Sequence, residues 1–116
     1  MKIKKKQESF KTINVREEYP YDGRLSGKDI AVLSVIILKE KDILKDSSIS
    51  ADDISSLART SINTMYESVK TLEKFGYIKR ENRKAENGGK LPNKYTVNKK
   101  VKVPKEDLIV FDFTES

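Results

Sequence analysis

Asn63, Glu67, Lys70 and Lys74 recur at spacings of four, three and four. At about 100° per residue that spacing lines one face of a helix, and it turns Met65, Val69 and Leu72 to the opposite, buried side. An amide, a carboxylate and two ammonium groups on a rigid rod make a patterned hydrogen-bonding surface. They do not make a catalytic set, because the chain offers no nucleophile beside a base, no phosphate-binding glycine loop and no histidine. The same groups match the edges of base pairs in a major groove. Asn63 suits a two-point contact to adenine, Glu67 can accept from the cytosine amino group, and Lys70 can reach guanine or phosphate. Tyr66 and Thr64 flank this face, and Thr60 and Ser61 at the start of the helix suit phosphate contacts.

The charges of that helix cancel, with Lys70 and Lys74 against Glu67 and Glu73 between Ser61 and Phe75. Affinity for a polyanion must therefore come from elsewhere. The chain of 116 residues has a formal net charge of +6, distributed unevenly. Residues 59–105 hold thirteen basic and four acidic side chains, whereas residues 31–58 hold three and five. Arg80, Arg83, Lys84, Lys90 and Lys94, with Lys4, Lys5 and Lys6 near the N-terminus, are the groups suited to neutralise phosphates and release counterions. Two binding modes stay open: base reading led by the helix, or contact led by the basic segment that follows it.

Composition excludes several classes. Zero cysteines and zero histidines leave no disulfide framework and no zinc site. The longest apolar run, Ile30 to Leu38, is nine positions including Ser34, well short of a membrane span. The basic N-terminus lacks the apolar stretch of a secretory signal, so a cytoplasmic protein is expected. Paired Asp52 and Asp53 fit acids at a helix N-terminus better than an acid-base pair. No cofactor and no small-molecule ligand is indicated.

The elements that must hold these groups can be read in order. Residues 1–9 form a flexible basic arm. Phe10 to Val15, rich in aromatic and β-branched residues, predicts a short strand closed by Pro20 and Asp22-Gly23. Ser26 and Asp29 have capping-box spacing and open a first helix from about Gly27 to Leu44. Ser50 to Asp53 opens a second, short helix carrying Ile54, Leu57 and Ala58 on one side, and a third runs from Ser61 to Phe75-Gly76, where Gly76 supplies a left-handed cap. Tyr77 to Glu81 and Lys94 to Val97 read as strands of a hairpin around Asn87-Gly88-Gly89. The apolar stretch Asp107 to Phe113 is expected to pack back, as a strand beside Phe10 to Val15, or else to serve as a homodimerisation arm.

Helix opening at Leu25-Ser26, the run Ser61 to Arg80 through Leu72-Glu73-Lys74-Phe75-Gly76-Tyr77-Ile78, and Asn93-Lys94-Tyr95 together resemble bacterial winged helix-turn-helix domains. The likeness is nearest to the N-terminal domains of plasmid and phage replication initiators, the replisome organisers. It covers roughly residues 10–97. It implies an α+β winged helix-turn-helix fold of three helices, a β-hairpin wing and a short N-terminal strand, with the domain spanning 10–100 and a C-terminal extension over 101–116. The sequence departs from such domains at the helix-turn-helix turn, where Arg59 and Thr60 stand in place of glycine and an apolar residue; the second helix then either turns sharply or runs on. No helicase-recruiting domain is expected after the wing on this reading. The function implied is sequence-specific double-stranded DNA binding without catalysis, by an accessory protein of a plasmid or phage acting in replication, DNA transfer or transcription regulation. The alternative is a winged-helix protein-interaction module, which fold alone does not separate from a DNA binder.

Overall fold

The computed structural model describes residues 9–42, 50–84 and 90–109, with the backbone alone for 41–42, 82–84 and 90–93. The expected capping box at Ser26 forms in full. Ser26 Oγ accepts from the Asp29 N–H at 3.1 Å, and Asp29 Oδ2 accepts from the Ser26 N–H at 2.9 Å. Two of the donors that a helix start leaves unpaired are thereby satisfied. The helix they open, Gly27–Asp42, buries Val32, Leu33, Val35 and Ile36. Ser50 and Ser61 cap the next two helices in the same way, Ala51–Leu57 and Ile62–Lys74, each accepting at 3.1 Å from the N–H three residues on. Met65, Val69 and Leu72 are fully buried and form the inner stripe of Ile62–Lys74.

In chain order the described elements are β1 (Phe10–Asn14), α1 (Val15–Glu18), α2 (Gly27–Asp42), α3 (Ala51–Leu57), α4 (Ile62–Lys74), β2 (Ile78–Lys84), β3 (Lys90–Val97) and β4 (Lys100–Pro104). The class is α+β. Among the described residues there are four α-helices and two antiparallel two-stranded sheets, β1–β4 and β2–β3. The expectation of three helices is thus corrected by one. Val15 to Glu18 turns into helix because the Glu18 carboxylate accepts from the Asn14 N–H at 2.7 Å, while Arg16 reaches across to Glu40 of α2 at 2.8 Å. These polar contacts outweigh the β-branched bias of Val15.

Among the described residues the strand beside β1 is β4, in the register Phe10↔Pro104 to Asn14↔Lys100. Of the stretch Asp107 to Phe113 expected there, Asp107, Leu108 and Ile109 bond to Gly23, Asp22 and Tyr21, and the rest lies outside the described residues. Lys100-Val101-Lys102-Val103 alternates with period two, and Val101 and Val103 join Ile13 and Val15 in the core while the lysines stay exposed. Their charge hides a strand inside what reads as a basic tail.

Helices α3 and α4 end in the same geometry. At the end of α4 the Tyr77 N–H donates to Leu72 O at 2.8 Å and the Gly76 N–H to Glu73 O at 3.1 Å, with Gly76 at φ 86°. At the end of α3 the Thr60 N–H donates to Ser55 O at 3.0 Å and the Arg59 N–H to Ser56 O at 3.2 Å, with Arg59 at φ 56°. Each is a Schellman cap. The second helix therefore stops and turns sharply, although an arginine occupies the left-handed position where a Cβ is strained.

The segments on either side of α2 and α4 are joined by a buried polar cluster. Asp22 is 0% exposed; its carboxylate accepts from the Arg24 backbone N–H at 2.9 Å, from Arg24 Nε and Nη2 at 3.0 and 2.8 Å, and from the Tyr77 hydroxyl at 2.6 Å. The Arg24 guanidinium lies 4.2 Å from the centre of the Phe75 ring. Beside it the Gly23 N–H donates to Asp107 O at 2.7 Å, so close that a Cβ at residue 23 would meet that oxygen at 2.6 Å. Burial pushes the Asp22 carboxyl up, but the hydrogen bonds from Arg24 and Tyr77 and the charge of Arg24 outweigh it and hold the group below its ordinary value. Burial, then the bond to Asp22, pushes the Tyr77 hydroxyl well up, so its proton stays in place to donate.

Two outcomes follow. Tyr77→Phe strips one hydrogen bond from a buried carboxylate and is expected to cost about 1–3 kcal/mol in urea unfolding. Because the folded pKa of Asp22 is depressed, its contribution is present above the unfolded value of roughly 3.9 and is lost as pH falls through the lower folded value. The variant raises that folded value, so its acid unfolding should begin at higher pH than the parent's. Separately, Arg59→Gly removes the left-handed penalty of about 1–2 kcal/mol at the cost of roughly 0.5–1 kcal/mol of backbone entropy, and a small net gain in Tm is expected. A loss of stability would mean that the Arg59 side chain makes compensating contacts.

Candidate nucleic-acid interface

Capping at Ser61 and burial of Met65, Val69 and Leu72 fix how α4 is rotated in the fold. That rotation leaves Asn63, Tyr66, Glu67, Lys70 and Lys74 exposed together, with Thr64 half-buried at the margin. The face expected from spacing alone is therefore assembled, and its side chains stand open to solvent. Its electrostatics differ from a simple count. Glu73 lies on the flank, where its carboxylate meets Arg80 Nε of β2 at 3.3 Å. The open face keeps Lys70 and Lys74 against Glu67 alone, and Arg80 is engaged with Glu73.

The start of α4 is less free than expected. Ser61 Oγ accepts the Thr64 N–H at 3.1 Å and donates to Thr64 Oγ1 at 3.0 Å, so both hydroxyls take part in holding the cap. Thr60 Oγ1 is buried and has no hydrogen-bond partner among the described residues. The hydroxyl to which the sequence reading gave a phosphate contact is thus covered in this fold, while the residue as a whole is half-buried.

Gly76 and the Asn98 side chain control the way out of α4. Asn98 Nδ2 donates to Gly76 O at 2.6 Å and the Asn98 N–H to Tyr77 O at 2.9 Å, which joins the end of β3 to the root of β2. The β2–β3 hairpin then runs directly from α4. Ile78, Tyr95 and Val97 are buried at its base, while Lys79 is exposed and Lys94 half-buried opposite Glu81. A shift of register lies between Glu81 and Arg83, beyond which Arg83 stands opposite Leu91 and Lys84 opposite Lys90. The backbones of Arg83, Lys84 and Lys90 thus belong to the outer part of the hairpin, and the expected turn at Asn87-Gly88-Gly89 lies outside the described residues.

Three residues of this surface escaped the sequence reading. Lys28, on the first turn of α2, lines a groove of about 270 Å³ with Ser26, Asp29, Thr64, Glu67, Ser68 and Thr71. Arg59 is exposed in the turn before α4, and its conformation had no sequence signal short of a full cap assignment. Lys79 follows the buried Ile78 at the start of β2 and is exposed, a position already inside the strand read from Tyr77 to Glu81. Among the described residues no group of three or more acidic side chains is placed to hold a metal ion, and no helix is long and apolar enough to cross a membrane.

The arrangement presents a two-part surface, a neutral-to-basic helix face rich in hydrogen-bonding groups and a basic hairpin attached to its C-terminal end. It offers donors and acceptors for recognition. A lone buried hydroxyl costs stability, so Thr60→Val is expected to be neutral or to stabilise the fold by up to about 1 kcal/mol in thermal unfolding. A marked loss would show that Thr60 Oγ1 is bonded in solution, through water for instance. Comparison with known protein families, with curated proteins and with solved structures found no match.

Proposed function

We propose that the chain is a winged helix-turn-helix protein that binds double-stranded DNA in a sequence-specific manner. In this reading α3 and α4 form the helix-turn-helix and β2–β3 the wing. One observation carries it: α4 turns Asn63, Glu67, Lys70 and Lys74 outward and passes through Gly76 directly into a hairpin whose residues 79–94 hold six basic and two acidic side chains. Asn63 reads adenine, Glu67 and Lys70 read neighbouring bases, and the wing with Lys74 contacts phosphates. The resemblance to replisome organisers makes an accessory protein of a plasmid or phage the context, in replication, DNA transfer or transcription regulation. A protein-interaction module is the second reading, favoured by the exposed apolar Leu57, Ile62 and Tyr66 at the α3–α4 turn.

Selection from a random duplex pool by the full chain, at two salt concentrations, tests this. An enriched motif is expected, with affinity falling steeply as salt rises. Asn63→Ala should change the preferred sequence at one position, with about 1–3 kcal/mol of discrimination lost there. Neutralising Lys79 or Arg83 should instead weaken all duplexes alike and lower the salt slope by up to about one unit each. Absence of binding at low salt would overturn the proposal and turn attention to protein partners.

A further inference from the structure

Ile62 opens α4 and is 39% exposed; Tyr66, one turn later, is 38% exposed. Both stand outside the buried stripe, whose members Met65, Val69 and Leu72 are fully covered. At about 100° per residue they lie roughly 40° apart. They share the flank that carries Glu73, which meets Arg80 of β2. The opposite flank, with Thr64, Glu67 and Thr71, faces Ser26 and Lys28. The apolar pair thus sits between the strip of Asn63 and Lys70 and the side from which the basic hairpin rises.

A single exposed apolar residue needs no explanation, but a neighbouring pair set among hydrogen-bonding and cationic groups calls for an occupant with both characters. The hairpin's charge favours a polyanion. Duplex DNA is a polyanion that also carries an apolar group in its major groove, the C5-methyl of thymine. RNA lacks that methyl, and its deep, narrow major groove does not admit side chains. We infer that Ile62 and the Tyr66 ring read thymine methyl groups, beside the adenine that Asn63 reads. Ile62 is then a specificity-determining residue, and the bound site contains adjacent A·T pairs.

This rests on the DNA-binding proposal and is tested so that the two can fail separately. In the duplex selected by the full chain, each thymine is replaced singly by deoxyuridine, which removes the methyl and keeps every hydrogen bond. One or two replacements should weaken binding by roughly fourfold, the value of one buried methyl. Ile62→Ala, assayed where its thermal unfolding shows it fully folded, should abolish the difference between thymine and uracil at one of those positions. Equal binding of both forms at every position would overturn the inference and leave sequence-specific DNA binding standing. If Ile62→Asp left affinity for the selected duplex unchanged, the pair would belong to a protein contact and the inference would fall. If no motif were enriched at all, both would fall together.

Discussion

The bond from the Tyr77 hydroxyl to the Asp22 carboxylate sets the relation between the parts of this molecule. Asp22 lies in the loop before α2, Tyr77 at the junction of α4 with β2, and Arg24 closes the charge while stacking on Phe75 at the end of α4. A buried carboxylate is tolerated only when its oxygens are bonded, so the loop cannot move without exposing a charge to a medium that solvates it poorly. The chain after β4 is tied to the same point through Gly23 and Asp107 and through the bridge between Asp22 and Leu108. The exit of α4, and with it the direction of the hairpin, follows from a cluster at the C-terminal end of that helix.

The turn between α3 and α4 shows the same economy with a different device. A Schellman cap satisfies carbonyl groups that a helix end would leave bare, and it needs one residue in the left-handed region. Gly76 fills that position after α4 at little steric cost, whereas Arg59 fills it after α3 under strain. The hydrogen bonds from Arg59 and Thr60 hold the strained residue in place, and the turn they make sets where α4 begins. An exposed arginine thereby stands just before the first turn of α4.

Charge pairing redistributes what a count of residues suggests. Arg16 is committed to Glu40, Arg24 to Asp22 and Arg80 to Glu73. The surface pairs among them are worth little energetically, but they remove opposing charges from the faces that remain. Withdrawal of Glu73 to the flank leaves the open side of α4 less acidic than its sequence implies.

Local physics was legible in the chain. Ser26, Ser50 and Ser61 announce helix starts because a side-chain oxygen three residues before a free N–H is a short-range geometric fact, and Gly76 announces an end for the same kind of reason. The outward face of α4 followed from a period of 3.6 and the apolar stripe opposite it. What the sequence did not reveal involved partners far apart along the chain. Val101 and Val103 make a core strand only because β1 lies alongside; the helix that takes up Val15 is held by the pairing of Arg16 with Glu40, 24 positions away. The Thr60 hydroxyl is covered, Glu73 is drawn to Arg80, and Asp22 changes from a turn residue into an anchor 55 positions from its partner Tyr77. By itself the sequence determined where α2, α3 and α4 begin and which side of α4 faces water, since those depend on neighbours within a turn or two. Only the tertiary structure decided which charges and hydroxyls stay free on that side, because each depends on a group brought near by folding.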